Sequence, residues 1–242
     1  MEFTHFISEC QRLFALNGLS CTEEQAEKLY QLTIRMLDVN QRMNLTAITE
    51  EKSVILRHYV DSITISSSIP YKSRIMDVGC GAGFPTLPLA IFRPDLTITA
   101  LDGTAKRIRY VEETAKLLGL ENVTAIAGRA EEYANDPRYR EKYDVVTARA
   151  VAALPVLCEL CLGFVRVGGV MLAMKSQQAE EELMASRDAI HLCGGKLSQK
   201  IDCTLRQETG DPEQRLLLVI EKTTLTPKIY PRHFSKISKN PL

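Results

Sequence analysis

The sequence predicts an α/β protein built on one mostly parallel β-sheet with helices on both faces. Three observations predict this fold class. From residue 74 onward, short β-rich runs alternate with stretches of helical apolar spacing. Five strand–helix units follow one another, which requires parallel strands with right-handed connections. A glycine-rich stretch, residues 79–83, falls between the first strand and its helix, where open parallel sheets have their ligand crevice.

The residues before the sheet predict three helices. Apolar residues recur at helical spacing over 3–18, where a glycine stops the first helix. Thr22 and Gln25 form a capping-box pattern that opens a second helix running toward Leu45. A third helix is predicted over 54–69, before a proline.

The sheet elements can be assigned from residue 74 to residue 222. The expected strands are 74–78, 96–101, 123–127, 143–148, 170–174, 196–205 and 215–222. The expected helices are 87–92, 105–118, a short helix around Glu131, 152–165 and 177–192. The last two strands are joined by a Gly-Asp-Pro turn, so we expect an antiparallel hairpin at one edge. We expect three parts: a helical extension (1–73), the core (74–224) and a basic tail (225–242).

Composition excludes several classes of protein. The 242 residues are 45% hydrophobic and 25% charged, as in an ordinary globular protein. The formal net charge is zero, which disfavours a binder that relies on a global positive field. No apolar run reaches the length of a membrane span, and the N-terminus does not resemble a secretion signal. Seven cysteines in such a chain indicate a reducing compartment. We expect a cytoplasmic monomer.

The glycine loop and a following acid predict a nucleoside-binding site. The loop runs from Asp77 through Gly79, Gly81 and Gly83. Glycines let the backbone turn tightly and approach a ligand closely. Asp102 ends the second predicted strand, where a carboxylate can accept hydrogen bonds from both ribose hydroxyls of an adenosine.

The spacing of this loop favours S-adenosylmethionine over a dinucleotide. The loop reads G-x-G-x-G followed by Phe84 and Pro85, whereas dinucleotide sites read G-x-G-x-x-G. A pyrophosphate needs an open helix N-terminus, which Phe84-Pro85 would close. Asp77 adds negative charge that suits a cationic amino-acid end. The sequence also lacks a His or Tyr near a strand end that could be the hydride partner in a nicotinamide-dependent oxidoreductase, which disfavours that alternative. A glycine turn without function is the remaining alternative.

The motifs around this loop resemble the RsmG family, also called glucose-inhibited division protein B. Its members methylate N7 of one guanine in bacterial small-subunit (16S) ribosomal RNA. The resemblance covers nearly the whole chain. The blocks that carry it are 44–46, 57–62, 77–91, 128–132, 147–150, 230–232 and 241–242. It implies a Rossmann-like S-adenosylmethionine-dependent methyltransferase. The chain departs from the family pattern at Thr86, where glycine is frequent, and at Gly103, where serine is frequent.

The resemblance also implies roles for individual residues. Gly79, Gly81, Gly83 and Phe84 would line the methionine side and ribose of the cofactor. Ala130 and Glu131 would lie beside the adenine, and Arg149 would complete the pocket. Guanine N7 carries a free lone pair, so no general base is required, and alignment would lower the barrier. Arg149 ends the fourth strand, where it could position the cofactor and the base. The alternative is a structural ion pair with a carboxylate.

Two segments are candidates for RNA contact. Arg57 and His58 precede the sheet, in a helix that would border the RNA. The alternatives are an Arg57–Asp61 helix ion pair and a packed histidine. The basic tail interleaves aromatic residues with Lys228, Arg232, Lys236 and Lys239. The alternative is a solvated tail, disordered by itself, that orders only on RNA.

Cys158 and Cys161 do not predict a metal site. A structural zinc site needs a second close pair of ligands, which the sequence lacks, so we expect buried thiols and no metal.

The predicted partner is 16S ribosomal RNA or the small ribosomal subunit, and we expect no association with a membrane. Two alternatives remain open: a methyltransferase of this fold with another RNA, a protein or a small molecule as substrate, and an RNA-binding ribosome assembly factor.

Overall fold

The computed structural model describes residues 2–176 and 179–242, and these form a seven-stranded sheet with helices on both faces. The strands are β1 (Arg74–Val78), β2 (Thr97–Asp102), β3 (Val123–Ala127), β4 (Tyr143–Arg149), β5 (Val165–Ser176), β6 (Gly195–Asp202) and β7 (Arg215–Lys222). The helices are α1 (Phe3–Leu16), α2 (Glu23–Met43), α3 (Glu51–Val54), a π-helix (Ile55–Val60), α4 (Asp61–Ile63), a 3₁₀ turn (Ser66–Ser68), α5 (Thr86–Phe92), α6 (Ala105–Leu117), α7 (Ala130–Tyr133), α8 (Leu154–Cys161), α9 (Ala179–Ala185), α10 (Arg187–Leu192) and α11 (Phe234–Lys239).

The predicted fold class is confirmed. The strand order is β3-β2-β1-β4-β5-β7-β6, and the first five strands run parallel. β7 pairs antiparallel with both β5 and β6, so the predicted hairpin closes one edge of the sheet, with β6 outermost. The carboxyl ends of β1 and β2 lie on one side of the crevice, and those of β4 and β5 lie on the other.

Three predicted boundaries in the core are wrong. The strand expected over 196–205 ends at Asp202. The helix expected over 152–165 ends at Cys161, because β5 begins at Val165 rather than at residue 170. The helix expected over 177–192 is two helices, α9 and α10; residues 177 and 178 lie outside the described part. The break falls at Ser186, whose hydroxyl donates to the carbonyl of Glu182 and competes with the helix backbone.

The N-terminal helices follow the sequence signals at their ends. Gly18 has a φ of +70° just after α1, and the capping box of Thr22 and Gln25 opens α2. The third predicted helix begins earlier than expected, because the Glu50 carboxylate accepts hydrogen bonds from two backbone N–H groups of α3. It ends earlier too, at Ile63, and its interior is the π-helix, which the sequence did not predict.

The sheet separates two apolar cores. The N-terminal helices, α5 and α6 pack with Ile75 and Val145 on one face of the sheet. α8, α10 and α11 pack with Met76 and Val146 on the other. Neighbouring residues of β1 thus enter opposite cores, as strand geometry requires. Both cores support the crevice between them. Within the described part of the chain, no helix is long and apolar enough to cross a membrane.

The C-terminal tail is ordered and packed, so the alternative of a tail disordered by itself is wrong. Ile237 of α11 is fully buried in the second core. Arg232 donates from Nε and Nη2 to the carboxylate of Glu159, at 2.9 and 2.7 Å, and Glu159 is fully buried on α8. This pair fastens the end of the chain to the helix that follows β4.

Candidate active site

The glycine loop leaves one open approach for a ligand. Gly79, Gly81 and Gly83 have φ values of +74°, +56° and +87°, which L side chains rarely adopt. A Cβ on Gly79 would lie 2.6 Å from Val151, and one on Gly83 would lie 2.6 Å from Leu87. A Cβ on Gly81 would have only the Gly79 carbonyl oxygen nearby, at 3.9 Å. Packing therefore requires glycine at two positions, whereas Gly81 faces open space.

Asp102 is fastened to this loop. Its Oδ2 accepts a hydrogen bond from the Gly81 N–H at 3.0 Å, and its Oδ1 accepts one from the Thr104 N–H at 2.8 Å. The carboxylate thus joins the end of β2 to the loop after β1. A carboxylate oxygen has two lone pairs, so each oxygen keeps an acceptor position for a ligand hydroxyl.

Asp77 lies beneath the loop rather than in the crevice. Its carboxylate is fully buried and accepts hydrogen bonds from the hydroxyls of Thr86 at 2.6 Å and Thr147 at 3.0 Å. Desolvation raises the pKa of Asp77 to about 6, although both hydroxyls act to lower it. The side chain connects β1, α5 and β4, and Thr86 is one of its two side-chain donors. A role for the charge of Asp77 in cofactor binding stays a prediction.

Phe84 forms the floor between the two sides of the crevice. Its ring stacks on His58 with centroids 4.3 Å apart and planes inclined by 6°. The Arg149 guanidinium lies over the same ring, 5.4 Å from the centroid. Burial, with Arg149 nearby, lowers the pKa of His58 to about 3, so the imidazole is neutral at physiological pH. The structure gives His58 the packing role of the alternative interpretation; RNA contact by His58 stays a prediction.

Arg149 makes the structural ion pair that was the alternative to a positioning role. Its Nη1 donates to Asp61 Oδ2 at 2.8 Å and to the Arg57 carbonyl oxygen at 2.9 Å. Asp61 is nearly buried and also lies 3.5 Å from Arg215 Nε. These contacts place Arg149 rigidly at the end of β4, beside Phe84. Whether it also touches cofactor and base stays a prediction.

The Arg57–Asp61 ion pair considered from helical spacing is not formed. Arg57 Nε instead donates to Glu213 Oε1 at 2.6 Å, and Asp61 pairs with Arg149. The π-helix lies between the two residues, and each of them forms its ion pair with a residue that is distant in the sequence.

A cavity of about 640 Å³ opens beyond the ends of β4 and β5. Its polar lining includes His58, Thr64 and the charged residues Arg57, Asp61, Arg149, Lys175, Glu182 and Arg215. Val151, which contacts the position of Gly79, lies in its wall. The cavity therefore adjoins the glycine loop, with Phe84 and Arg149 at the junction. Of these lining residues, Arg57, His58 and Arg149 were predicted from the sequence as site residues. Arg215 was not, because it begins a predicted strand and belongs to no motif that indicates a site.

The side of the loop away from the cavity is formed by the end of β3. Ala130 and the nearly buried Glu131 begin α7 there, and Arg129 Nε lies 3.4 Å from Glu131 Oε1. The Arg129 guanidinium lies over the ring of Phe234 of α11, 4.5 Å from the ring centroid. Its Nη1 is 3.5 Å from the position that a Cβ on Gly103 would take. The tail thus reaches the neighbourhood of Asp102, a contact that sequence spacing did not predict.

The four basic tail residues differ in their contacts and exposure. Arg232 is engaged with Glu159, whereas Lys228, Lys236 and Lys239 are exposed. None of the described residues that line the 640 Å³ cavity comes from the tail. The three lysines are free to meet phosphates only outside the cavity, so their RNA contact stays a prediction.

The prediction that Cys158 and Cys161 are buried thiols is confirmed. Cys158 and Cys161 are fully buried in α8, and burial raises the pKa of both thiols well above the usual value. In the described ranges, 2–176 and 179–242, no three His, Cys, Asp or Glu side chains are grouped to hold a metal ion.

Comparisons with known proteins agree with this geometry. The model of the GidB family, described as rRNA small subunit methyltransferase G, matches residues 24–209. The Ribosomal RNA small subunit methyltransferase G of Leuconostoc citreum is 42% identical over 234 residues, 94% of this chain and 96% of the relative. That of Acetivibrio thermocellus is 42% identical over 226 residues, 93% of this chain and 92% of the relative.

Two solved structures share the fold. The M. jannaschii TYW2 in complex with AdoMet has a TM-score of 0.53 at 17% identity, over 68% of this chain and 76% of that chain. The precorrin-6y C5,15-methyltransferase of Geobacter metallireducens has a TM-score of 0.52 at 13% identity, over 75% and 91%. At such identities the likeness concerns the fold alone, and it confirms the predicted Rossmann-like methyltransferase sheet.

Proposed function

Because this chain belongs to the family of ribosomal RNA small subunit methyltransferase G, we propose that it transfers a methyl group from S-adenosylmethionine to N7 of one guanine in 16S ribosomal RNA. The resemblance read from the sequence motifs is thereby confirmed at the level of the family. Membership of a methyltransferase family excludes the oxidoreductase alternative. The small-subunit RNA is inferred as the substrate from the names of the relatives. Guanine N7 is inferred as the target atom from the motif resemblance.

The observation that carries the proposal is the division of the crevice at Phe84 and Arg149. On one side, Gly81 faces open space and Asp102 keeps free acceptor positions, as the methionine and ribose parts of S-adenosylmethionine require. When bound there, the cofactor supplies an electrophilic methyl group on a sulfonium. On the other side lies a cavity large enough for a nucleobase, lined by arginines. An open glycine loop beside a cavity lined by arginines suits a transfer between a nucleoside cofactor and an RNA base.

The residues at the junction favour alignment over acid–base chemistry. N7 of guanine is unprotonated at neutral pH, so no proton must be removed before it attacks. His58 is neutral and stacked, and Asp77 is buried against two hydroxyls, so neither is placed as a general base. Arg149 carries a charge that Asp61 balances, so a positive charge developing on the guanine meets no unpaired cation. His58 and Arg149, whose side chains approach to 3.5 Å, both lie against the Phe84 ring, so this group can align the base with the cofactor.

An assembly factor with a vestigial pocket is the weaker candidate. The loop retains its open position at Gly81 and its anchor at Asp102, neither of which RNA binding alone requires. We further propose that the protein works in the cytoplasm as a monomer. Its seven free cysteines suit a reducing compartment.

Labelled S-adenosylmethionine and small ribosomal subunits from cells lacking this activity provide the test. We expect label in the RNA and, by mass spectrometry of the digested RNA, 7-methylguanine at one position. Subunits from cells that possess the activity are the matched control, because their target base is already methylated. Transfer to no ribosomal substrate, with cofactor binding intact, would contradict the rRNA assignment and favour a protein or small-molecule acceptor.

A further inference from the structure

Five charges of alternating sign form a series of ion pairs along one wall of the 640 Å³ cavity: Arg57, Glu213, Arg215, Asp61 and Arg149, of which all but Glu213 line the cavity. At the exposed end of the series, Glu213 Oε1 accepts from Arg57 Nε at 2.6 Å and Glu213 Oε2 accepts from Arg215 Nη2 at 2.8 Å. Deeper, Arg215 Nε lies 3.5 Å from Asp61, which pairs with Arg149. The Arg57 side chain is 44% exposed and that of Arg149 only 15%, so the outer pairs are more exposed to water than the inner pair.

The backbone that carries Glu213 is held in place. Its N–H and C=O both pair with Leu205, across the connection between β6 and β7. The same connection is fastened to α1, because the Asn17 side chain donates to the Arg206 carbonyl at 3.0 Å and accepts from the Arg206 N–H at 2.7 Å. Glu213 can therefore leave the two arginines by side-chain rotation alone, without moving the loop.

We infer that Arg57 and Arg215 form a phosphate-binding site for the RNA, which Glu213 occupies when no RNA is present. Two guanidinium groups that converge on one planar anion also match two oxygens of a phosphodiester. Exchanging the carboxylate for a phosphate leaves both arginines neutralised, so the exchange leaves no unpaired cation. The inner Asp61–Arg149 pair stays intact.

The position of the site selects the phosphate it would bind. Arg57 and Arg215 both line the cavity that we propose for the target base. A base that leaves its stack and enters a pocket carries its own phosphates to the pocket mouth. The inference thus rests on the proposed function and assigns the phosphate flanking the target guanine. It also explains why the histidine next to Arg57 does not supply the second cation: His58 is neutral and covered by Phe84.

Glu213→Gln and Arg57→Gln test the site in opposite directions. Binding to a 16S rRNA transcript is measured over a range of salt concentrations. Glu213→Gln removes the competing charge, so RNA affinity should rise about threefold or more at low salt. Arg57→Gln should lower it by about tenfold and reduce the salt slope by about one. In the double variant, Glu213→Gln should increase RNA affinity little, because Arg57→Gln has already removed half of the phosphate site that Glu213→Gln exposes.

A second ion pair provides matched controls with the same changes of charge. Arg35 Nη2 pairs with Glu113 at 2.7 Å on α2 and α6, and neither residue lines the cavity. Glu113→Gln and Arg35→Gln report the effect of net charge alone. Cofactor affinity and the unfolding midpoint should be unchanged in Glu213→Gln.

Two outcomes would overturn the inference. In one, Glu213→Gln and Arg57→Gln each match their control in RNA affinity; in the other, Glu213→Gln gains affinity for poly-glutamate but not for RNA. Either result leaves the proposed function standing as long as the parent protein methylates small subunits. Failure of that methylation would contradict the proposed function instead.

Discussion

At the scale of single residues, the three loop glycines are required for different reasons. Gly79 and Gly83 face the side chains of Val151 and Leu87, so the protein's own packing excludes a Cβ there. Only Gly81 faces open space. The glycine spacing of the sequence predicted a ligand at all three positions, because spacing cannot distinguish glycine required by packing from glycine required by a ligand.

Substituting Gly81 and Gly83 separately should separate these reasons. Gly81→Ala adds a methyl group toward the cofactor side, so cofactor affinity should fall about tenfold or more, while the left-handed φ costs only about 1 kcal/mol of stability. Gly83→Ala overlaps the fully buried Leu87, so the free energy of unfolding should fall by about 2–4 kcal/mol. Calorimetric titration and urea unfolding measure both effects. Equal cofactor affinity in Gly81→Ala and parent would show that this loop is not the cofactor site.

The residues of the cavity show where sequence reasoning about a site ends. Arg149 could be predicted because it ends a strand on the crevice side of a parallel sheet. Arg215 and Glu213 could not, because their partners Asp61 and Arg57 lie far away in the sequence and meet them only after folding. Local spacing instead suggested an Arg57–Asp61 pair, which the fold replaces with two long-range pairs.

At the scale of secondary structure elements, strands were easier to predict than helix interiors. β1, β3 and β7 have the predicted bounds, since β-rich runs between polar turns define both ends of a strand. The π-helix Ile55–Val60 was missed, because apolar spacing indicates a helix without specifying the number of residues per turn. The sequence also could not predict that β7 lies between β5 and β6. Either strand of the β6–β7 hairpin could in principle pair with β5.

The junction between this helical segment and β4 depends on Asp61. Asp61→Asn preserves the shape of the side chain but leaves the charge of Arg149 unbalanced in a position that is only 15% exposed. We expect the free energy of unfolding to fall by about 2–4 kcal/mol. Asp38→Asn is the matched control, because Asp38 pairs with Arg42 on the exposed face of α2 and should matter by less than about 1 kcal/mol. Equal urea midpoints for the two variants would contradict a structural role for the Asp61–Arg149 pair.

At the scale of the whole molecule, the chain ends reinforce the crevice from both faces of the sheet. The N-terminal helices share a core with one face, and the tail shares a core with the other. The division at residues 73 and 224 stays a prediction. The tail combines an internal anchor, Arg232, with three exposed lysines, and basic composition alone could not tell them apart.

Two variants of the tail should separate anchoring from RNA contact. Arg232→Gln leaves the fully buried carboxylate of Glu159 without its cationic partner and with only the backbone N–H of residue 232 as a donor, so the free energy of unfolding should fall by about 3–5 kcal/mol. Joint replacement of Lys228, Lys236 and Lys239 by Gln should change stability by less than about 1 kcal/mol. That triple variant should bind 16S rRNA more weakly and with a smaller salt slope. An unchanged slope would remove the tail from the RNA interface.

The strand order also bears on how the protein is made. Synthesis proceeds from the N-terminus, so β5 emerges from the ribosome well before β7, the strand that covers its free side. Until Lys222 has emerged, β5 is an open edge that carries the apolar residues Met171, Leu172 and Ala173. Such an edge readily pairs with other chains. Products of premature termination would therefore aggregate rather than form a smaller working enzyme.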